Sequence, residues 1–144
     1  MDFDNLIVAL TKRRNVIFVL IGVFSVVALF IHYNVEVTVL PYFSQEHNML
    51  FIYGLIVYKF FELPILYYIL VYRHLVSLKE GEEYAKIYPK LEKQSKMFFF
   101  LIIQGNTIFG IIAYKLSVNI LFFLLFMSIA LVITHIIKPT KIFP

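Results

Sequence analysis

The chain has 144 residues, 61% of them hydrophobic and 15% charged, with a mean hydropathy of +0.85 and a formal net charge of +4. Ordinary soluble domains carry about 25% charged residues, so this composition points to a lipid bilayer, and the length leaves room for one domain. There is no cysteine, which excludes disulfide frameworks, thiol redox catalysis and thiolate metal sites.

The opening stretch, MDFDNLIVALTKRR, has Asp2 or Asp4 to cap a helix and places Phe3, Leu6, Ile7 and Leu10 at i, i+3, i+4, i+7. It reads either as an amphipathic helix lying in the membrane surface, with Lys12, Arg13 and Arg14 at the headgroups, or as an early start to the first membrane helix. Residues 15–33 form the first predicted span, with Gly22 and Ser25 as its small or polar breaks. The run is too long for a signal peptide and no small-residue cleavage site follows it. Residues 34–48 contain no Lys or Arg and carry the loop markers Asn34, Pro41 and Asn48, so they are expected on the outer side. Their apolar residues, Val35 to Phe43, suit a loop folded back on the membrane.

The second predicted span, 49–73, reads MLFIYGLIVYKFFELPILYYILVYR. About 20 apolar residues cross about 30 Å of hydrocarbon, so it is long enough. Near its middle stand Lys59, Glu62 and Pro64. A charge at the centre of a membrane helix costs roughly 2.5–3.5 kcal/mol on insertion scales, and residues three apart on a helix can pair. Pro64 also leaves the carbonyl of Phe60 without its helical donor.

The 74–96 loop is the one sizeable polar segment, expected to be cytoplasmic. Tyr84, Ile87, Tyr88 and Leu91 repeat the amphipathic spacing, which gives two cytoplasmic amphipathic segments, 3–13 and 80–95; Pro89 predicts a short or broken helix in the second. It reads as a docking helix for a partner or as a linker resting on the bilayer surface. The third span, 97–114, holds Gln104, Asn106 and Thr107 beside Gly105 and Gly110. A short turn around KLSVN makes it an antiparallel hairpin with the fourth span, 118–137, which has Ser128 near its centre. Three cations at 12–14, six between Arg73 and Lys96, and Lys138 and Lys141 put eleven of the 13 Lys and Arg on one side. The positive-inside rule then predicts an all-α, polytopic four-helix transmembrane bundle with both termini cytoplasmic.

At similar depth lie Ser25, Tyr58, Lys59, Glu62, Gln104, Asn106, Thr107 and Ser128, which should converge on the bundle interior because lipid cannot solvate them. Such a cluster serves either as a register-fixing network or as a site for a proton, cation or small polar ligand centred on Glu62. His32 and His47 flank the outer ends of spans one and two, and His74 and His135 lie near the inner ends of spans two and four. Two pairs at two depths match the axial ligands of a two-haem cytochrome, or else four interfacial histidines. No phosphate loop, zinc-spaced histidine pair or nucleophile elbow is present, and carboxylates interleave with the basic residues, which argues against nucleic acid.

In the stretch 104–140, Gln104, Gly105, Asn119, Lys138, Pro139 and Thr140 follow a pattern: a mid-helix polar residue with glycine, a short turn ending in Asn, and a last span closing on a basic residue, Pro and Thr. In this the chain resembles small uncharacterised four-helix bacterial inner-membrane proteins. The resemblance covers about a quarter of the chain and implies a bacterial, four-span protein of the inner membrane with no activity to transfer. The expectation is a non-enzymatic membrane protein without a cofactor, acting as a homo-oligomer or as an accessory subunit of a membrane complex. The alternatives are a small proton- or cation-coupled transporter or channel using Glu62, and third a haem-binding cytochrome.

Overall fold

The computed structural model describes residues 3–38, 44–79 and 84–139, and among these it is all helical, without strands. The helices are α1 (Phe3–Asn34), α2 (Gln45–Tyr67), α3 (Arg73–Lys79), α4 (Tyr84–Ser117) and α5 (Ile120–Ile136). A five-residue π-helical turn, Tyr68–Tyr72, joins α2 to α3. Three stretches, Asp4–Asn34, Gln45–Ser77 and Lys86–Ser117, are long and apolar enough to cross a membrane, and α5 is an apolar helix of 17 residues. Residues 39–43, which belong to the segment expected on the outer side, and Thr140 and Lys141 lie outside the described residues.

Helix α4 is the central post. It packs against α5, α1 and α2, and α1 also packs on α5. Three hydrogen bonds fix the levels. At one end of the bundle Arg14 Nε donates to the carbonyl of Thr134 at 2.8 Å. At the other, the His32 ring Nδ1 and the Tyr114 hydroxyl share a hydrogen bond of 2.9 Å, and Asn48 Nδ2 donates to the Leu116 carbonyl at 3.1 Å. The chain therefore runs up in α1, down in α2, up in α4 and down in α5.

At about 1.5 Å per residue, the 32 residues of α1 and 34 of α4 are far longer than about 30 Å of hydrocarbon requires. Both helices run through the Arg14 end of the bundle. There Leu6 and Leu10 of α1, Leu75 of α3, and Ile87 and Leu91 of α4 belong to one buried cluster with the bundle core. Of the two readings of residues 3–13, the early start is the one observed, since α1 runs unbroken from Phe3. Its amphipathic face is satisfied by protein, with Leu6 fully buried. Pro89 does not break α4 either. It comes in the second turn, where only one helical bond, to the carbonyl of Ala85, is lost, and Ile87 and Leu91 on either side are buried and hold the helix. In α2, Pro64 is likewise carried inside the helix, and the wider π turn follows one turn later, with Arg73 N–H donating to the Tyr68 carbonyl five residues back.

The α4–α5 connection is two residues long. Val118 stands at φ 52°, the left-handed position after the helix end that glycine normally fills, and its N–H donates to Tyr114 O at 2.7 Å. Asn119 then caps α5, its Oδ1 accepting from Leu121 N–H at 3.0 Å. A β-branched residue in this conformation carries roughly 1–2 kcal/mol of strain. Val118→Gly is therefore expected to hold or raise the thermal midpoint, against the usual direction of a valine-to-glycine change. Asn119→Ala should lose about 1 kcal/mol through the missing cap. Thermal unfolding of the detergent-solubilised protein checks both.

Candidate functional site

The buried residues of α2, Asn48, Ile52, Lys59 and Leu63, recur at four- and seven-residue intervals and form the seam it turns towards the rest of the bundle. Lys59 occupies a seam position and is 1% exposed. Its ammonium lies over the Phe109 ring of α4, 4.5 Å from the centroid, and is ion-paired with Glu62 one turn further along α2. The cation's third neighbour is a void left by glycine: a Cβ on Gly105 would sit 2.7 Å from Nζ. An aromatic face attracts a desolvated cation by about 2 kcal/mol, and the carboxylate adds the opposite charge. The ammonium thus trades water for a carboxylate, a ring face and a glycine-sized gap.

Glu62 is less enclosed, its side chain 22% exposed. Its Oε2 is buried and close to the ammonium, but receives no hydrogen bond in good alignment, so charge proximity is what holds it. Beside the pair, between α2 and α5, runs a groove of about 330 Å³ lined by Lys59, Leu63 and Pro64 on one side and Ser128, Ile129 and Val132 on the other.

The other polar residues of the expected cluster go to several places. Asn106 is fully buried, its Nδ2 donating to Ile102 O at 2.8 Å while its Oδ1 has no partner among the described residues. Thr107 and Ser25 are half-buried and Ser128 is exposed; each hydroxyl donates to the carbonyl four residues back, at 2.7–2.8 Å. A hydroxyl satisfied by its own helix makes no demand on the bundle interior, which is why these three need not converge with Lys59. Tyr58 is exposed, its ring 5.9 Å from that of Phe109. Gln104 is also exposed and lies with Thr107 in a different groove, between α1 and α4. Lys59 and Glu62 are thus brought together with Gly105 and Phe109, and only loosely with Tyr58 and Ser128.

The histidines are engaged separately. His32 meets Tyr114, and its ring packs edge-on against Tyr114 and Tyr33; His47 Nδ1 shares a hydrogen bond with the Ser44 hydroxyl. His135 is exposed at the end of α5, and His74 is half-buried in α3. Among the described residues no three His, Cys, Asp or Glu side chains gather as metal ligands.

Sequence reasoning did not find the roles of three contributors. Phe109 was hidden among 16 phenylalanines. Asn48, taken as a loop marker, is buried in the first turn of α2. Arg14 donates through Nε and Nη2 to the carbonyls of Thr134 and His135, placing its charge at the negative end of α5. No protein-family model, curated protein or solved structure matches the chain.

Removing one member of a buried pair leaves the other charge without compensation. Glu62→Gln is therefore expected to cost about 2 kcal/mol or more, and replacing both, as Lys59→Met with Glu62→Leu, to recover most of that loss. Gly105→Ala forces the ammonium from its place and should cost about 1–3 kcal/mol. In a Lys59→Ala background, where nothing reaches Gly105, the same alanine should cost much less. Thermal or denaturant unfolding of the singles and the doubles measures this coupling.

Proposed function

We propose that the chain is a small, non-catalytic integral membrane protein that works as a homo-oligomer or as an accessory subunit of a larger membrane complex. In this reading α5 is a fourth span, its 17 residues at the lower end of the range that crosses a bilayer. Both termini face the cytoplasm, because eleven of the 13 Lys and Arg fall in segments flanking the Arg14 end. The bacterial inner membrane rests on the resemblance of residues 104–140.

One observation carries the non-catalytic reading: the enclosure of the Lys59 ammonium by Glu62, Phe109 and Gly105. A cation so closely fitted positions α2 against α4, and a carboxylate already paired with it is a poor carrier of anything else. A second reading has its own support. The Glu62 side chain is 22% exposed, as a group that exchanges a proton or cation has to be.

Native mass spectrometry of protein extracted gently from its own membrane tests the first reading. It should give a homo-oligomer, or other chains at fixed stoichiometry. A companion-free monomer overturns it. Reconstituted liposomes test the second: a carrier loses coupled flux in Glu62→Gln while staying folded, whereas a structural pair gives no specific flux in either form.

A further inference from the structure

Gln104 stands on an exposed side of the central helix, α4. It lies ten residues, about 15 Å, from the level of Tyr114 and His32, and nine from Ser95 at the opposite end. Its side chain is exposed and makes no hydrogen bond among the described residues, whereas Ser25, Thr107 and Ser128 each bond their own backbone. A primary amide carries two donors and an acceptor, and acyl chains answer none of them. Along α4 the exposed residues Met97, Phe100, Gln104, Ile108 and Ile111 follow at intervals of three, four, four and three, the spacing of a helix–helix contact stripe. The stripe borders a groove of about 390 Å³ whose far wall is Val16, Leu20 and Phe24 of α1.

We infer that this stripe is a dimer interface, with a second copy of the chain as its occupant. The inference rests on the membrane reading proposed above and supplies its partner. Two copies inserted in the same direction relate by a two-fold axis along the membrane normal, which brings each residue opposite itself at the same depth. Gln104 then meets Gln104 of the second copy, and an amide that both donates and accepts is complementary to itself. Each α4 stripe seats in the groove that α1 and α4 of the other copy form. Apolar residues above and below supply packing, and the single polar pair sets the register. A lipid chain would fill the groove but leave both amides unanswered at the depth where that costs most.

The absence of cysteine makes the test direct. Phe100→Cys and Ile111→Cys each keep Gln104, and Val57→Cys marks the outward face of α2. Oxidation in native membranes should produce disulfide-linked dimers from the first two and not the third, since bridging needs Cα atoms within about 7 Å. Adding Gln104→Leu to Phe100→Cys should weaken dimerisation by roughly tenfold while the protein stays folded. The interface is overturned if neither stripe cysteine cross-links, if Val57→Cys links equally well, or if Gln104→Leu leaves the yield unchanged. An oligomer seen by mass spectrometry with no stripe cross-link defeats this interface and leaves the wider proposal standing. A companion-free monomer defeats both, and a foreign chain in place of the second copy defeats this one.

Discussion

The burial of one positive charge governs how this bundle is put together. Lys59 sits in the seam of α2, a position that packing alone would give to leucine. Leaving its ammonium in an apolar interior would cost far more than any single contact returns. Three features from two helices offset that cost: the Glu62 carboxylate, the Phe109 face and the space left at Gly105. None is sufficient alone, and together they dictate the rotation of α2 about its axis and its height along α4. Elsewhere in the seam α2 is apolar except for Asn48, and apolar residues tolerate sliding. The charge does not.

Helix α4 can serve as the centre because its glycines face two different neighbours. Gly105 makes room for the Lys59 ammonium on the α2 side. Gly110 lets α5 come close, since a Cβ there would lie 2.9 Å from a ring carbon of Phe123. A third side, carrying Gln104, is left to whatever lies outside the bundle. The same helix therefore specifies its internal packing with small residues and presents a polar group outward.

The two ends of the bundle are built differently. At the His32 end the connections bear few charges and the α4–α5 turn is reduced to Val118 and Asn119. At the Arg14 end the amphipathic faces of α1 and α4 close on α3 and extend the buried core along the bundle. Arg14 joins the two regimes: its guanidinium lies 4.9 Å from the Phe18 ring centroid and donates to the last carbonyls of α5. Arg14 thus acts on the C-terminus of α5 as well as on the packing of α1.

What the sequence by itself determined was the all-helical class, the long apolar helices and the local pairing of Lys59 with Glu62. These depend on composition, hydrophobic runs and spacing within one helix, all of which are local. The tight hairpin before α5 was legible for the same reason, because only a turn fits between Ser117 and Ile120. Tertiary structure alone decided that Gly105 and Phe109 complete the Lys59 site, that Arg14 reaches α5, and that Gln104 faces outward while Asn106 faces in. It also decided that helices run through Pro89 and through the amphipathic start of α1, since burial of Ile87, Leu91, Leu6 and Leu10 outweighs a lost backbone bond or a surface preference. A membrane helix is apolar on every side, so its periodicity does not say which face is inside. Only the neighbours, through close approach and hydrogen bonding, make that choice.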